Sequence, residues 1–235
     1  MPIFFQNKDI VVPGDCIATG PNYKPGVGTF REGDSIFAAV IGLLEIKNDV
    51  INVIPLEGTY IPRPNDIVIG KVIDVAIASW KVDIRAPYVA TLPASNVFDR
   101  PIDPVREDPR KYLDVGDTIL AKIVSFDRTH DPILTIKEKG LGKLKGGRLI
   151  IMEPTKVPRL IGRKGSMINM VKGETKCKIV IGQNGRIWIS CERPEIEDII
   201  EMIVRRIERE AHTTGLTDRI REFIKQEMGK IRRGE

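Results

Sequence analysis

The sequence predicts a multi-domain chain: a β-rich N-terminal domain, a five-stranded β-barrel and a C-terminal α+β domain. Three observations carry this. The length of 235 residues leaves room for two or three small domains. Apolar residues fall in short, turn-bounded runs over the first 145 or so positions, and afterwards largely at helical spacing. Charge divides in the same way: residues 1–62 hold four basic and seven acidic residues, 63–147 fourteen and twelve, and 148–235 nineteen and thirteen.

In residues 1–62 the turn formers Pro13-Gly14-Asp15, Pro25-Gly26, Glu32-Gly33-Asp34 and Lys47-Asn48-Asp49 cut the chain into short pieces. The β-branched runs 36–42 and 50–54 lie between them, as in a small all-β domain. Tyr60-Ile61-Pro62-Arg63-Pro64 reads as a stiff connector, because two prolines fix φ and deny a helix.

Five strands are expected in residues 63–145, over 68–75, 80–84, 88–92, 118–126 and 133–136. The polar stretch 99–114, with Pro101, Pro104 and Pro109, reads as a long loop between the third and fourth. Five short strands with one long loop fit an OB-type barrel. The texture resembles an S1 domain: Gly70-Lys71-Val72 opens it, Trp80-Lys81-Val82-Asp83-Ile84 follows, and Val115-Gly116-Asp117 turns into the fourth strand.

In residues 146–235, a strand over 148–152 precedes Val157, Leu160 and Ile161 at helical spacing. After Gly162-Arg163-Lys164-Gly165, Met167, Ile168 and Val171 continue that spacing. Two strands follow, joined at Gln183-Asn184-Gly185, where Asn-Gly signals a hairpin. Pro194 opens a long helix with the apolar stripe Ile196, Ile199, Ile200, Ile203, Val204 and Ile207, and Ile220, Phe223 and Ile224 mark a final one.

The order strand, helix, GxxG, helix, strand, turn, strand, helix resembles a type I KH domain. That implies single-stranded RNA as ligand, with about four nucleotides clamped at the loop. The chemistry suits the residues. Gly162 and Gly165 let backbone approach a phosphate closely, the following helix N-terminus offers N–H donors, and Arg163 and Lys164 add full charges. Ile168, Val180 and Ile181 are candidates for an apolar floor beneath the bases. On the barrel, Trp80, Tyr88, Lys71, Lys81, Arg85 and Lys122 are candidates for stacking or phosphate contact. The densest basic stretch, 148–178, has eight basic residues against Glu153 and Glu174, so a polyanion is expected to meet the C-terminal domain first.

Other chemistry finds no support. His130 and His212 stand alone, and no nucleotide-loop motif appears. Cys16, Cys177 and Cys191 are odd in number and lack CxxC spacing, so neither a disulfide framework nor a zinc ribbon is expected, and Cys177 reads as a core residue. No cofactor, metal or catalytic residue is assigned. No apolar run approaches the roughly 18–20 residues of a membrane helix, and the N-terminus lacks a secretory pattern. A reduced, cytoplasmic setting is the default.

The whole arrangement resembles the archaeal form of the RNA-binding cap subunit of the exosome. The residues that carry this are Val12-Pro13-Gly14-Asp15, Gly26-Val27-Gly28-Thr29, Ile54-Pro55-Leu56-Glu57-Gly58-Thr59-Tyr60-Ile61-Pro62 and Asp66-Ile67-Val68-Ile69-Gly70-Lys71-Val72. The resemblance implies a non-catalytic subunit, three copies of which cap a hexameric ring of RNase PH-like proteins and guide single-stranded RNA inward for 3′-to-5′ degradation. The acidic N-terminal domain is then the part that docks on protein. A free RNA chaperone is the alternative.

Overall fold

The structure, a computed structural model, describes residues 2–98, 108–127, 129–211, 213 and 215–233, with side chains as far as Lys230. Most of the long loop expected at 99–114, together with His212, lies outside the described residues. The chain divides into two compact units, Met1–Gly58 and Thr59–Glu235.

The first unit is all β. Its strands are β1 (Ile10–Val11), β2 (Cys16–Thr19), β3 (Lys24–Pro25), β4 (Thr29–Glu32), β5 (Ser35–Ala38), β6 (Gly42–Lys47) and β7 (Val50–Pro55). They form two sheets, ordered β1-β6-β7-β3 and β2-β5-β4. The Lys47-Asn48-Asp49 turn joins β6 to β7 with Asn48 and Asp49 both at positive φ (47° and 63°), which suits the right-handed twist of a tight hairpin. Val11, Ile17, Ile36, Leu44, Ile51 and Val53 alternate inward to make the core. The run expected over 36–42 is broken: Ala38 ends β5, and Gly42 starts β6 so close to β7 that a Cβ there would lie 2.3 Å from the Ile54 carbonyl oxygen.

The second unit holds the barrel and the α+β domain. The barrel strands are β8 (Ile67–Val75), β9 (Ser79–Asp83), β10 (Val89–Pro93), β11 (Thr118–Asp127) and β12 (His130–Thr135). Strand β12 pairs with both β10 and β11, which closes the ring. Period-two alternation sends Val68, Val72, Trp80, Val82, Leu92, Ile119, Ile123 and Leu134 inside. A further strand, β13 (Gly142–Leu144), extends the sheet beyond β11. Its three residues, among glycines, are too short to show a period in the sequence.

The α+β domain runs β14 (Arg148–Ile151), α1 (Val157–Ile161), α2 (Ser166–Thr175), β15 (Lys178–Ile181), β16 (Arg186–Ser190), α3 (Pro194–Arg209) and α4 (Leu216–Arg233). The sheet order is β14-β16-β15, antiparallel throughout. Proline at the first position of α3 and Glu195 and Glu197 in its first turn suit a helix N-terminus. Its stripe Ile199, Ile200, Ile203, Val204 and Ile207 packs with Ile150, Ile179, Ile187 and Ile189 of the sheet and with Leu160, Met167 and Val171 of α1 and α2. The opposite face of the same sheet, through Leu149, Val180 and Trp188, packs on Ile69 and Leu120 of the barrel.

The cysteines correct the sequence reading. Cys177 and Cys191 form a disulfide, with Cα atoms 4.6 Å apart, and Cys16 is free. Lys178 opposes Ser190 in the β15–β16 ladder, so the next pair outward is Cys177 and Cys191. Fourteen positions of sequence separation hide a direct cross-strand neighbour.

Candidate nucleic-acid interface

The Gly162–Gly165 loop joins α1 to α2 in a conformation that its glycines make possible. Gly162 has φ +74°, and a Cβ there would lie 2.8 Å from the Met167 amide nitrogen and 2.9 Å from the Met167 Cβ. Gly165 has φ +79°. Between them Lys164 occupies the left-handed region at φ +51°, which costs a non-glycine residue about 1–2 kcal/mol. The turn is closed by the Gly165 N–H donating to the Gly162 carbonyl (3.2 Å). Helix α2 begins at the next residue, so its free N-terminal amides lie beside the loop.

Arg163 and Lys164 are exposed, and among the described residues neither has an ion-pair partner. Two full positive charges therefore stand at the mouth of a helix N-terminus. This is the arrangement a phosphate needs: donors and charge, with no Cβ at either flanking position.

The apolar floor differs from expectation. Ile168 is 8% exposed, because at helical spacing with Met167 and Val171 it points into the domain core. Val180 lies on the other face of β15, against the barrel. Ile181 and Ile161 are half-buried and border the same core, so they retain some exposed apolar surface.

On the barrel the candidates separate. Trp80 cannot stack a base: its side chain is wholly buried, and Nε1 donates to the Leu113 carbonyl (2.8 Å). Tyr88 packs its ring on Phe126 with centroids 5.0 Å apart. Lys81 Nζ donates to Thr91 Oγ1 (3.0 Å) and sits 3.4 Å from Asp131 Oδ2, and Lys122 pairs with Glu138 at 2.6 Å. Arg85 Nη1 donates to the Met152 carbonyl (2.8 Å), which makes it a strut to the α+β domain. Lys71 is exposed and unpaired among the described residues.

The residues that reading the sequence missed are those that fix the barrel against the loop-bearing domain. Asn184, read as a hairpin signal, is completely buried. Its Nδ2 donates to the carbonyls of Ile69 (2.8 Å) and Ile84 (2.7 Å), and its Oδ1 accepts from the Ile69 N–H (3.2 Å). Gln183 accepts from the Ile67 N–H at 2.7 Å and donates its own N–H back at 2.8 Å. Arg186 donates to the Asp83 carbonyl (2.6 Å) and forms an ion pair with the Asp83 carboxylate. The β15–β16 turn thus behaves as an extra partner for β8. Only its unusual run of amides, in a chain with three glutamines, hinted at this.

Known proteins match at every level of this architecture. The family model described as the exosome RNA binding protein RRP4 N-terminal domain matches residues 8–57, and a KH domain model matches 147–195. The protein of Pyrococcus furiosus named exosome complex component Rrp4 is 48% identical over 98% of this chain and 88% of its own length. Its namesakes in Methanothermus fervidus and Thermofilum pendens are 49% and 46% identical, over 94% and 96% of this chain and 97% and 96% of their own lengths. A crystal structure described as an exosome complex RNA-binding protein aligns with a TM-score of 0.70 at 43% identity, covering 74% of this chain and 99% of that one. With identity of 46–49% sustained across nearly the full length, the chain belongs to the Rrp4 family of exosome complex components.

Proposed function

We propose that the chain is a non-catalytic, RNA-binding subunit of a cytoplasmic exosome. In this reading three copies cap the RNase PH-like hexameric ring and guide single-stranded RNA into its 3′-to-5′ degradation chamber. The observation that carries the RNA reading is the exposed, unpaired Arg163–Lys164 pair, framed by Gly162 and Gly165 at the start of α2. The names of the relatives and of the structural neighbour support it.

The N-terminal unit serves as the protein-docking part. Its net charge is opposite to that of the rest of the chain. Phe4, Ile10, Val27, Ile41 and Ile54 are each about half exposed, an apolar excess that suits a protein partner and not a polyanion. Mixing the chain with ring subunits tests the proposal. Co-elution at a stoichiometry of three per ring, lost when residues 1–58 are deleted from an otherwise RNA-binding protein, is the expected result. Phosphate-dependent shortening of RNA by the highly purified chain alone, or failure to join the ring, would overturn it.

A further inference from the structure

We propose that the RNA surface does not end at the glycine loop but continues along the outer side of α2 to the start of β15, with Lys172, Lys176 and Lys178 as further phosphate contacts. This rests on the RNA-binding reading of the loop and extends it from a clamp to a track.

The first observation is how charge is partitioned in the α+β domain. Its arginines are largely neutralised by carboxylates. Arg148 is held by Glu197, Asp198 and Glu201, Arg186 by Asp83, Arg205 by Glu201 and Glu208, and Arg206 by Glu210. Arg163, Lys164, Lys172, Lys176 and Lys178 are all exposed, and none has an ion-pair partner among the described residues. A run of such charge therefore leads from the loop, along α2, into the edge strand, while Lys156, Arg159, Arg209 and Lys225, which also lack an ion-pair partner among the described residues, lie elsewhere on the domain.

The second observation is the geometry of α2. Asn169 and Lys172 are three apart and share one side of the helix, and Lys176 follows as the left-handed residue that ends it. Asn169 leans over the loop: its Nδ2 is 3.3 Å from where a Cβ on Gly165 would stand. Ten residues at about 1.5 Å each carry this side roughly 15 Å away from the loop, farther than a single phosphate contact reaches.

The third observation is that local stability is given up along this side. Gly173 sits inside the helix, where glycine costs about 0.5–1 kcal/mol against alanine, yet nothing lies within 4 Å of its absent Cβ, so packing does not require it. Lys172 and Lys176 bring two like charges to the C-terminal end of the helix. Lys176 itself is at φ +57°. Glu174 is two positions past Lys172 and so lies off that side of the helix. Glu174 and Glu192 border Lys176 in a shallow depression without pairing with it. Local rules broken together on one exposed surface mark a functional face. A low, side-chain-free step at Gly173 between two lysines suits a chain of phosphates passing over the helix.

RNA length separates this from binding at the loop alone. A single-stranded RNA of about four nucleotides fills only the clamp, and one about three times as long can reach the lysines. In the full-length protein, Lys172→Gln, Lys176→Gln and Lys178→Gln combined should leave binding of the short RNA unchanged. Affinity for the long RNA should fall roughly tenfold, with about 2 units lost from the salt slope at about 0.7 per contact. Glu174→Gln should tighten the long RNA only. Arg163→Asp with Lys164→Asp should weaken both RNAs. If the triple variant melts normally and binds the long RNA with wild-type affinity and slope while the loop variant does not, the track is wrong and the clamp stands. Equal losses on short and long RNA would also overturn the track. If the wild-type chain binds neither RNA, track and clamp fall together.

Discussion

Arg186 on β16 and Asp83 on β9 form an ion pair that spans the joint between the barrel and the α+β domain, with the guanidinium side chain 9% exposed and the carboxylate 42%. The Arg186 Nε is buried and has no hydrogen-bond partner, so the charge depends heavily on its other two nitrogens. Asp83→Asn leaves most of a buried cation uncompensated. Loss of one partner of a buried pair costs about 3–5 kcal/mol. Asp83 keeps contact with water, which screens the interaction, so about 2 kcal/mol is expected here, read as a lower urea midpoint for residues 59–235 with an unchanged slope.

The same pair predicts acid sensitivity. Burial pushes the Asp83 carboxyl up, but the Arg85 N–H and the Arg186 guanidinium outweigh burial and hold it below the usual carboxylate range. A group depressed in the folded state contributes stability that is present above its unfolded pKa and is lost as pH falls through the folded one. The melting temperature should therefore hold near neutrality and drop below about pH 4. The drop should be shallower in Asp83→Asn. An identical acid profile in that variant would remove Asp83 from the account.

Asn184 satisfies three backbone groups of the barrel from one side chain. Asn184→Ala strands the Ile84 carbonyl and the Ile69 N–H in a buried joint and leaves the Ile69 carbonyl only its long bond from Arg186 Nη1 (3.4 Å), at about 1–3 kcal/mol for each group that water cannot reach. We expect a loss of about 3 kcal/mol. Asn184→Asp should be worse, since a carboxylate would face the carbonyls of Ile69 and Ile84. Chemical denaturation of the three proteins checks the order, and an alanine variant as stable as wild type would show that the joint is held by apolar contact alone.

Asn184 also shows where the sequence stops being legible. Barrel strands can be read because one face is dry, so inward residues recur at alternate positions within a strand, as Trp80 and Val82, Ala90 and Leu92, and Ile119, Ala121 and Ile123 do. The loop can be read because Gly162 and Gly165 have conformations that few other residues adopt. Trp80 misleads: an aromatic next to lysine suits a stacking platform as well as a core, and only the inward register of β9 decides for the core. Asn184 and the Cys177–Cys191 bond are contacts between distant positions, and local patterns carry no signal for either. Strand β13 is too short to have a period.

The disulfide gives a prediction of its own. It closes a loop of about 15 residues in the unfolded chain, a constraint of about 3 kcal/mol in the chain-entropy account. It also ties the C-terminal end of α2 to the N-terminal end of α3. Adding a dithiol reductant should lower the melting temperature of the second unit by roughly 5–10 °C. Cys177→Ala with Cys191→Ala should melt like the reduced wild type and ignore the reductant. Thiol titration of native protein prepared without reductant should find Cys16 alone. Three titratable thiols there would show that the bond does not form.

The sharpest test falls on the loop itself. Arg163→Asp with Lys164→Asp puts two carboxylates where the proposal places an RNA phosphate, at positions that are exposed. Stability should change by no more than about 0.5 kcal/mol, as for other surface substitutions, and relief of the left-handed strain at residue 164 works in the variant's favour, since aspartate tolerates that region better than lysine. RNA affinity should fall for all sequences alike, because phosphate contacts carry no base information. The dependence of log affinity on log salt should flatten by about 1.4, at about 0.7 for each single-strand phosphate contact removed. Gly162→Ala gives a control that keeps the charge. A Cβ 2.8 Å from the Met167 nitrogen must displace the start of α2, so this variant should lose affinity with less change in salt slope. A double aspartate protein that melts normally and binds with wild-type affinity and slope would place the RNA elsewhere, with exposed Lys71 on the barrel as the next position to test.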